Sequence, residues 1–209
     1  MKLIIFGATG ATGCQVVTQA LGQEHHVTAF ARNPQKLKIA HENLQVIQGN
    51  VLDYSAVEQA VTGQEVVLCT LGLPDIRNKS QLRANGTKNI IRAMKNTGVR
   101  RFLCQSSHGV GDTQTTLPFF MKYIMAPFVL RRVFEDHELQ EKLVKETQLD
   151  WIIVRPTNLT DGDKTAKYQQ GTIDNKTARF KISRADVADF MLKQLVDNLY
   201  LHKTPSISY

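Results

Sequence analysis

The chain has 209 residues, of which 42% are hydrophobic, and its 26 Lys and Arg against 19 Asp and Glu give a formal net charge of +7. This length and apolar content suit one compact domain over residues 1–209. The basic residues are scattered, without the basic stripe and interleaved aromatics of nucleic-acid-binding proteins, so we expect no nucleic-acid partner. The charge fits either a solvated basic surface or a pocket that attracts phosphorylated or carboxylated ligands, and we favour the pocket.

Membrane, secretory and metal-binding signals are weak in this sequence. No stretch reaches the roughly 18 apolar residues of a membrane-spanning helix, and the N-terminal apolar run is too short for a signal peptide. Cys14, Cys69 and Cys104 are widely spaced and set in apolar surroundings, without metal-ligand spacing. We therefore expect a cytoplasmic protein with reduced, buried thiols, no membrane association and no metal.

Strand and helix patterns alternate along the chain. The predicted strands are KLIIF (2–6), HVTAF (26–30), LQVI (44–47), EVVLCT (65–70), RFLCQS (101–106) and DWIIV (150–154), and the predicted helices cover 11–21, 54–61, 80–96, 129–145 and 184–196. Most strands are continuous apolar runs, as expected of parallel strands that are buried on both faces. This order predicts an α/β fold, a Rossmann-type doubly wound parallel sheet with helices on both faces.

A glycine-rich turn, GATGATG, joins the first strand to the first helix. Gly7 permits the tight turn, Gly10 lets the backbone approach a pyrophosphate, and Gly13 allows close packing of helix on strand. The N–H groups at the start of the helix then face the phosphates, and Thr9 and Thr12 can add hydroxyl donors. In this position the motif predicts a dinucleotide site.

The end of the second strand indicates which dinucleotide is bound. NAD-preferring sites place an acid about 20 residues past the glycines, where it bonds the ribose 2′-hydroxyl. Here the strand ends in Phe-Ala-Arg-Asn-Pro, with Arg32 at that place and Lys36 one turn further on. A guanidinium matches a 2′-phosphate in a bidentate way. We therefore predict NADP(H) as the cofactor, although Arg32 as a simple surface cap of the strand is the alternative.

The motifs together resemble atypical short-chain dehydrogenases/reductases. The resemblance rests on GATGATG, on ARNPQKL after the second strand, QGNVLD after the third, TLG after the fourth, and SRADVADFML near the end. The likeness is closest to the small NADPH-dependent flavin reductase/biliverdin-IXβ reductase group, with the wider NmrA-like NAD(P)-binding proteins behind it. It extends over almost the whole chain.

The resemblance implies a role for each matching position. The pyrophosphate would be held by Gly7, Thr9, Gly10, Ala11 and Thr12, and the 2′-phosphate by Arg32. Asn50 and Val51 would flank the adenine, Leu71 and Gly72 would lie along the ribose and nicotinamide, and Pro156, Thr157, Asn158 and Leu159 would cover the carboxamide. Ser106 would lie at the nicotinamide as the catalytic serine.

The sequence departs from the reductase pattern at two places. Pro74 stands where these reductases often carry an arginine beside the substrate pocket, and Asn158 stands where the biliverdin-type reductase has a histidine. Both departures bear on the substrate and not on cofactor binding. Lys142, on the helix before the sixth strand, is a further candidate contact for phosphate or substrate.

The Tyr-x-x-x-Lys pair of conventional members of the superfamily is missing. Tyr123 is followed four residues later by Pro127, and Tyr168 by Thr172. Reduction of a flavin or a tetrapyrrole methine needs hydride delivery, but its proton can come from water, so such an enzyme depends mainly on geometry. In that scheme Ser106 positions the nicotinamide or a water, and Ser107 should point to the opposite side of the strand.

Three functions are compatible with these residues. We favour an NADPH-dependent reductase that transfers hydride to a planar acceptor, namely a flavin, a quinone or a linear tetrapyrrole such as biliverdin. The alternative is a non-catalytic NmrA-like NADP(H) sensor, and a sugar-nucleotide epimerase is the weakest candidate. We expect a monomer or weak homodimer. The apolar 117–130 segment is either packed on the core, a dimer contact, or a wall of the pocket for a planar substrate.

Overall fold

The architecture is an α/β fold built around one large sheet. The computed structural model describes residues 1–72, 81–173 and 177–209. Its strands are β1 (Lys2–Phe6), β2 (His26–Ala31), β3 (Leu44–Gln48), β4 (Val66–Cys69), β5 (Arg101–Gln105), β6 (Asp150–Pro156), β7 (Asn158–Thr160), β8 (Gln169–Gly171), β9 (Lys181–Ser183) and β10 (Ser206–Ser208). Its α-helices are α1 (Ala11–Leu21), α2 (Tyr54–Val61), α3 (Leu82–Thr97), α4 (Arg131–Lys145) and α5 (Arg184–Lys193).

The order of strands confirms the predicted doubly wound sheet. The eight-stranded sheet runs β3-β2-β1-β4-β5-β6-β10-β8, and β7 pairs with β9 in a separate ribbon. The six predicted strands are all parallel to their neighbours, whereas β8 is antiparallel to β10 at the edge. The order of chain connection reverses between β1 and β4, which is the place where such sheets bind their ligands.

Helices cover both faces of the sheet, and alternate residues of each strand point into two separate cores. Leu3 and Ile5 of β1 pack in a core with α1 and α5, while Ile4 and Phe6 pack in a second core with α2, α3 and α4. These four side chains are fully buried. A strand of the central sheet therefore needs apolar residues at successive positions, and this explains the continuous runs in the sequence.

The predicted elements differ from the structure mainly at their ends. The predicted helix 80–96 begins at Leu82, with its predicted first residue outside the described residues, and the helix predicted to end at 196 ends at Lys193. The four strands β7 to β10 were not predicted. Each has three residues with at most one apolar side chain. Such a segment is too short to show the hydrophobic periodicity of a helix or of a strand.

The apolar 117–130 segment forms a π-helical stretch over Met121–Val129, with Pro127 inside it. Proline has no N–H to donate and disturbs the α-helical bonding pattern, so this stretch does not continue into α4 as a regular α-helix. Among the described residues, no helix is long and apolar enough to cross a bilayer.

Candidate active site

A cavity of about 580 Å³ opens at the carboxyl ends of the parallel strands. The loops after the six parallel strands β1 to β6 line it, as the topology of the sheet requires. All of the predicted site residues except Asn50 and Asn158 lie in its wall. The residues in the wall are Gly7, Thr9, Gly10, Ala11, Thr12, Arg32, Lys36, Val51, Leu71, Gly72, Ser106, Pro156 and Thr157.

The turn after β1 requires two of its glycines for steric reasons. Gly7 has φ +84°, and a Cβ there would lie 2.5 Å from the carbonyl oxygen of Thr70. A Cβ on Gly13 would lie 2.1 Å from the carbonyl oxygen of Gly7. The turn therefore packs directly on the end of β4, and a side chain at either position would force the two loops apart.

Gly10 has a different function in the same turn. It is the N-cap of α1, and among the described residues no side chain bonds the free N–H groups at this end of the helix. Gly10 and Ala11 are exposed to the cavity. Free N–H groups and the positive end of the helix dipole form a site suited to an anion. These residues therefore fit the pyrophosphate of a dinucleotide.

The wall of the cavity is strongly basic. Arg32 and Lys36 lie at its end beside β2, and Arg83 and Arg184 line it elsewhere, while no Asp or Glu is among the described residues that line it. The field inside the cavity therefore attracts anionic groups. Sequence analysis did not single out Arg83, which stands without a motif at the start of a helix, or Arg184, which lies in SRADVADFML but was given no role.

Three predicted or candidate residues lie outside this wall. Asn50 is exposed, and its Oδ1 accepts a hydrogen bond from the Leu52 amide instead, at 3.1 Å. Asn158 is exposed and lines a small neighbouring cavity of about 60 Å³. Lys142 is also exposed and lies 4.0 Å from Glu146. Pro74 is outside the described residues.

Ser106 is held by a buried ion pair that the sequence did not reveal. Its Oγ donates to Oε1 of Glu141 at 2.7 Å. The guanidinium of Arg155 clamps the same carboxylate, with Nε 2.8 Å from Oε1 and Nη2 2.7 Å from Oε2. Ser106, Glu141 and Arg155 are 2%, 3% and 0% exposed. The clamp therefore fixes both the position and the hydrogen-bond direction of the serine hydroxyl.

Two further charges complete this cluster. Lys145 donates to Glu141 at 2.8 Å, and Arg155 donates to Asp112 at 2.6 Å. Burial raises the pKa of Glu141, but hydrogen bonds from Arg155, Lys145 and Ser106 outweigh it, and the pKa stays below its usual range. Burial lowers the pKa of Arg155, and its bonds to Glu141 and Asp112 reverse that effect. Both groups are charged at neutral pH.

The structure does not separate Ser107 from the site, although the alternation of side chains along a strand had predicted that separation. Ser107 lines the main cavity together with Ser106, and it also lines the small neighbouring cavity. Strand β5 ends at Gln105, so the two-residue alternation of side chains does not continue through the serines. The Ser107 hydroxyl donates to the carbonyl of His108 at 3.2 Å.

His137 is a cavity residue that no sequence motif marks. It is 6% exposed, and its Nδ1 lies 3.1 Å from Oε1 of Gln140. Gln140 donates through Nε2 to Thr87, so its Oε1 accepts from His137. Burial, together with the positive charge of Arg83, lowers the pKa of His137 to about 3. The ring is therefore neutral at physiological pH.

The 117–130 segment lies beside the main cavity and not in its wall. Leu117, Pro118, Met121 and Leu130 line the small neighbouring cavity. Phe119 and Phe128, in contrast, are 75% and 82% exposed. His108 also lies there, bonded to Ser206 and Thr116. The segment therefore packs on the fold with one side and presents aromatic rings to solvent with the other.

Comparison with known proteins agrees with this geometry. The sequence model of a family described as NAD(P)H-binding matches residues 7–198. The chain belongs to this family. The match includes the glycine turn, the basic end of β2, the Ser106 loop and the SRADVADFML helix.

Two relatives with described activities are similar in sequence. Reductase pytE of Aspergillus terreus is 24% identical over 99% of this chain and 97% of its own length. The 3 beta-hydroxysteroid dehydrogenase/Delta 5-->4-isomerase of Mycobacterium tuberculosis is 30% identical over 52% of this chain. The chain spans only 32% of that second protein.

Solved structures share the fold over nearly the whole chain. ChuY of Escherichia coli O157:H7, described as an anaerobillin reductase, has a TM-score of 0.81 and 25% identity, covering 99% of this chain and 96% of its own. A short-chain dehydrogenase/reductase of Veillonella parvula, solved in complex with NADP, has a TM-score of 0.83 and 19% identity over 99% and 94%. The family model and these structures therefore agree on an NAD(P)H-binding fold.

Proposed function

We propose that this protein is an NADPH-dependent reductase that transfers hydride to a planar acceptor, namely a flavin, a quinone or a linear tetrapyrrole such as biliverdin. The observation that carries the proposal is the continuity of one cavity, which runs from the glycine turn and Arg32 to Ser106. A dinucleotide bound at the glycine turn can place its two ends at these two regions. The nicotinamide then supplies the hydride.

The preference for NADPH over NADH is based on charge. Arg32 and Lys36 line the cavity beside β2, at the place where NAD-preferring sites carry an acid. A guanidinium gains a bidentate, charge-assisted pair from a 2′-phosphate and little from a hydroxyl. The solved relative from Veillonella parvula was obtained with NADP, which is consistent with this choice.

Ser106 would act as a fixed hydrogen-bond acceptor at the nicotinamide. Because its hydroxyl proton is donated to Glu141, the oxygen keeps its lone pairs for an N–H group such as that of a carboxamide or for a water. Arg155 holds Glu141, so the serine cannot easily rotate away. This arrangement orients a ring for hydride transfer without acting as a nucleophile.

The surrounding groups suit an acceptor whose proton comes from water. His137 is neutral and leaves Nε2 as an acceptor, so it can orient a water but holds no proton for donation at that atom. No tyrosine lines the cavity among the described residues. The reductase ChuY, similar over 99% of this chain, is described as acting on anaerobillin, and this favours the tetrapyrrole class among the three.

The test is NADPH oxidation by the purified protein with FMN, menadione and biliverdin as separate acceptors and NADH as the control donor. We expect NADPH-selective turnover with at least one acceptor. Arg32→Ala should weaken NADPH binding at least about tenfold, as loss of a charge-assisted pair predicts, and should leave NADH nearly unchanged. Arg100→Ala, which removes an exposed arginine paired with Asp150, is the matched control.

Two results would contradict the proposal. Equal loss of NADPH and NADH affinity in Arg32→Ala would remove the assignment of the 2′-phosphate. Tight NADPH binding without turnover on any acceptor would instead favour the redox-sensor function, in which the same site reports the cofactor to a partner.

A further inference from the structure

Arg83 is a buried arginine whose charge is only partly used within the protein. It is 7% exposed and lines the main cavity. Its Nη1 lies 3.3 Å from Oδ2 of Asp136, which is longer than a strong charge-assisted hydrogen bond. Its Nε meets no acceptor among the described residues. Buried polar groups are nearly always bonded, so this nitrogen indicates a missing partner.

Asp136 does not fully compensate Arg83, because it is mainly bound by the start of α3. Its Oδ2 accepts the Arg83 amide at 3.2 Å, and its Oδ1 accepts the Ala84 amide at 3.0 Å. The carboxylate therefore caps the positive end of the helix dipole while it meets the guanidinium through one contact. The cavity side of Arg83 keeps positive charge.

Arg83 lies at the same end of the cavity as Ser106. Its partner Asp136 precedes His137 on α4, and His137 is four residues before Glu141, the group that holds Ser106. Residues four apart on a helix share a face. His137 and Arg83 both line the cavity, whereas the proposed contacts of the cofactor phosphates are the glycine turn and Arg32.

Neighbouring charges do not replace the missing partner. His137 is neutral at physiological pH, and the described residues that line the cavity include no Asp or Glu. A buried guanidinium with an unused donor and one long contact to its carboxylate is stabilised further by a second anion. An oxygen anion on the acceptor would add a charge-assisted hydrogen bond.

We propose that Arg83 forms an anion subsite for the acceptor, so that the preferred acceptor is a planar molecule bearing a carboxylate or a phosphate near its reacting ring. This inference rests on the proposed reductase function and narrows its substrate class. It also assigns the arginine of the acceptor pocket to α3, a different position from Pro74, where the resembling reductases often carry one.

The experiment compares pairs of acceptors that share one ring system, of which only one member carries a free carboxylate or phosphate. Biliverdin is tested against its dimethyl ester, and FMN against riboflavin, with wild type, Arg83→Met and Arg83→Lys. We expect Arg83→Met to raise the KM for the charged member of a pair about 10- to 100-fold, as loss of a hydrogen bond to a charged group predicts. The KM of the neutral member should change less than about twofold. Arg83→Lys should recover part of the difference.

Binding to the NADP⁺-loaded protein, measured by calorimetry, separates this inference from the reductase function. Selective loss of charged-ligand binding in Arg83→Met supports the subsite even where no acceptor is turned over, and loss confined to one pair distinguishes carboxylate from phosphate. Equal effects on the charged and neutral members overturn the subsite. Failure of Arg83→Met to fold leaves Arg83→Gln, which also removes the charge, and unchanged discrimination between the members of both pairs in that variant would also overturn it.

Discussion

The Ser106 hydroxyl and the Glu141 carboxylate are 35 positions apart in the chain and are joined by a buried hydrogen bond of 2.7 Å. The bond connects the end of β5 to the middle of α4. Arg155 on β6 donates to the same carboxylate at 2.8 Å. The geometry of the candidate catalytic serine is thus set by a helix and a strand, and these hold a side chain more rigidly than a loop does.

Replacing Ser106 tests its role at the nicotinamide. Ser106→Ala removes the acceptor oxygen but leaves Glu141 paired with Arg155 and Lys145, so the fold should be retained. We expect kcat with a competent acceptor to fall about 2- to 12-fold, the value of one neutral hydrogen bond. Steady-state kinetics with NADPH measures it, with Ser55→Ala, in the exposed first turn of α2, as control. Unchanged NADPH binding and turnover would exclude Ser106 from the site.

Glu141 should be important for stability. Glu141→Gln leaves the fully buried Arg155 without its buried carboxylate partner, and breaking a buried pair in this way costs about 3 to 5 kcal/mol. We expect a decrease of that size in the free energy of unfolding, measured by urea denaturation. The control is Glu135→Gln, which breaks an exposed helical pair with Arg131 and should cost less than about 0.5 kcal/mol. Similar losses in both variants would show that the buried cluster adds nothing.

The two buried histidines, His137 and His108, should lower the free energy of unfolding in mild acid. Burial lowers the pKa of His137 to about 3 and that of His108 to about 4, from about 6.5 in the unfolded chain. Below pH 6.5 the two histidines therefore bind protons in the unfolded chain but not in the folded chain. Stability falls as pH decreases from about 6.5 toward 4, by about 1.4 kcal/mol per pH unit for each histidine. The depressed pKa of Glu141 adds its own loss only below about pH 4.5.

Urea denaturation at several pH values checks this prediction. Between pH 5 and 6.5 the slope should decrease by about 1.4 kcal/mol per pH unit in His137→Gln. Between pH 7 and 8, where both histidines are mostly neutral in the folded and unfolded chain, both proteins should give small slopes. A variant that keeps the full wild-type slope would show that His137 is protonated in the folded state.

The parts of the site that follow local rules were predictable from the sequence. Glycine spacing and the basic end of β2 marked residues that the structure brings into one cavity, because a turn and its adjoining helix are built from consecutive residues. Glu141, Arg155 and Arg83 were not found, since their partners are 14 to 53 positions away in the chain. Their pairing depends on packing of α4 against the sheet and α3, which no single-sequence pattern encodes.

The glycine turn allows folding and cofactor binding to be separated. Gly7→Ala would place a Cβ 2.5 Å from the Thr70 carbonyl at a φ of +84°, so we expect a destabilisation of about 2 to 4 kcal/mol. At Gly10 the backbone is extended, with φ −74°, and the nearest atom to a new Cβ is the Gly7 carbonyl oxygen at 3.2 Å. Gly10→Ala should therefore cost less than about 1 kcal/mol.

The same Gly10→Ala methyl group would nonetheless stand at the free start of α1, where a pyrophosphate must approach bare backbone. We expect NADPH affinity to fall at least about tenfold, which corresponds to about 1.4 kcal/mol. Thermal unfolding and fluorescence titration with NADPH measure the two effects on the same samples. A Gly10→Ala variant that binds NADPH like wild type would place the phosphates elsewhere in the cavity, and a variant that unfolds as easily as Gly7→Ala would make Gly10 a requirement of the turn itself.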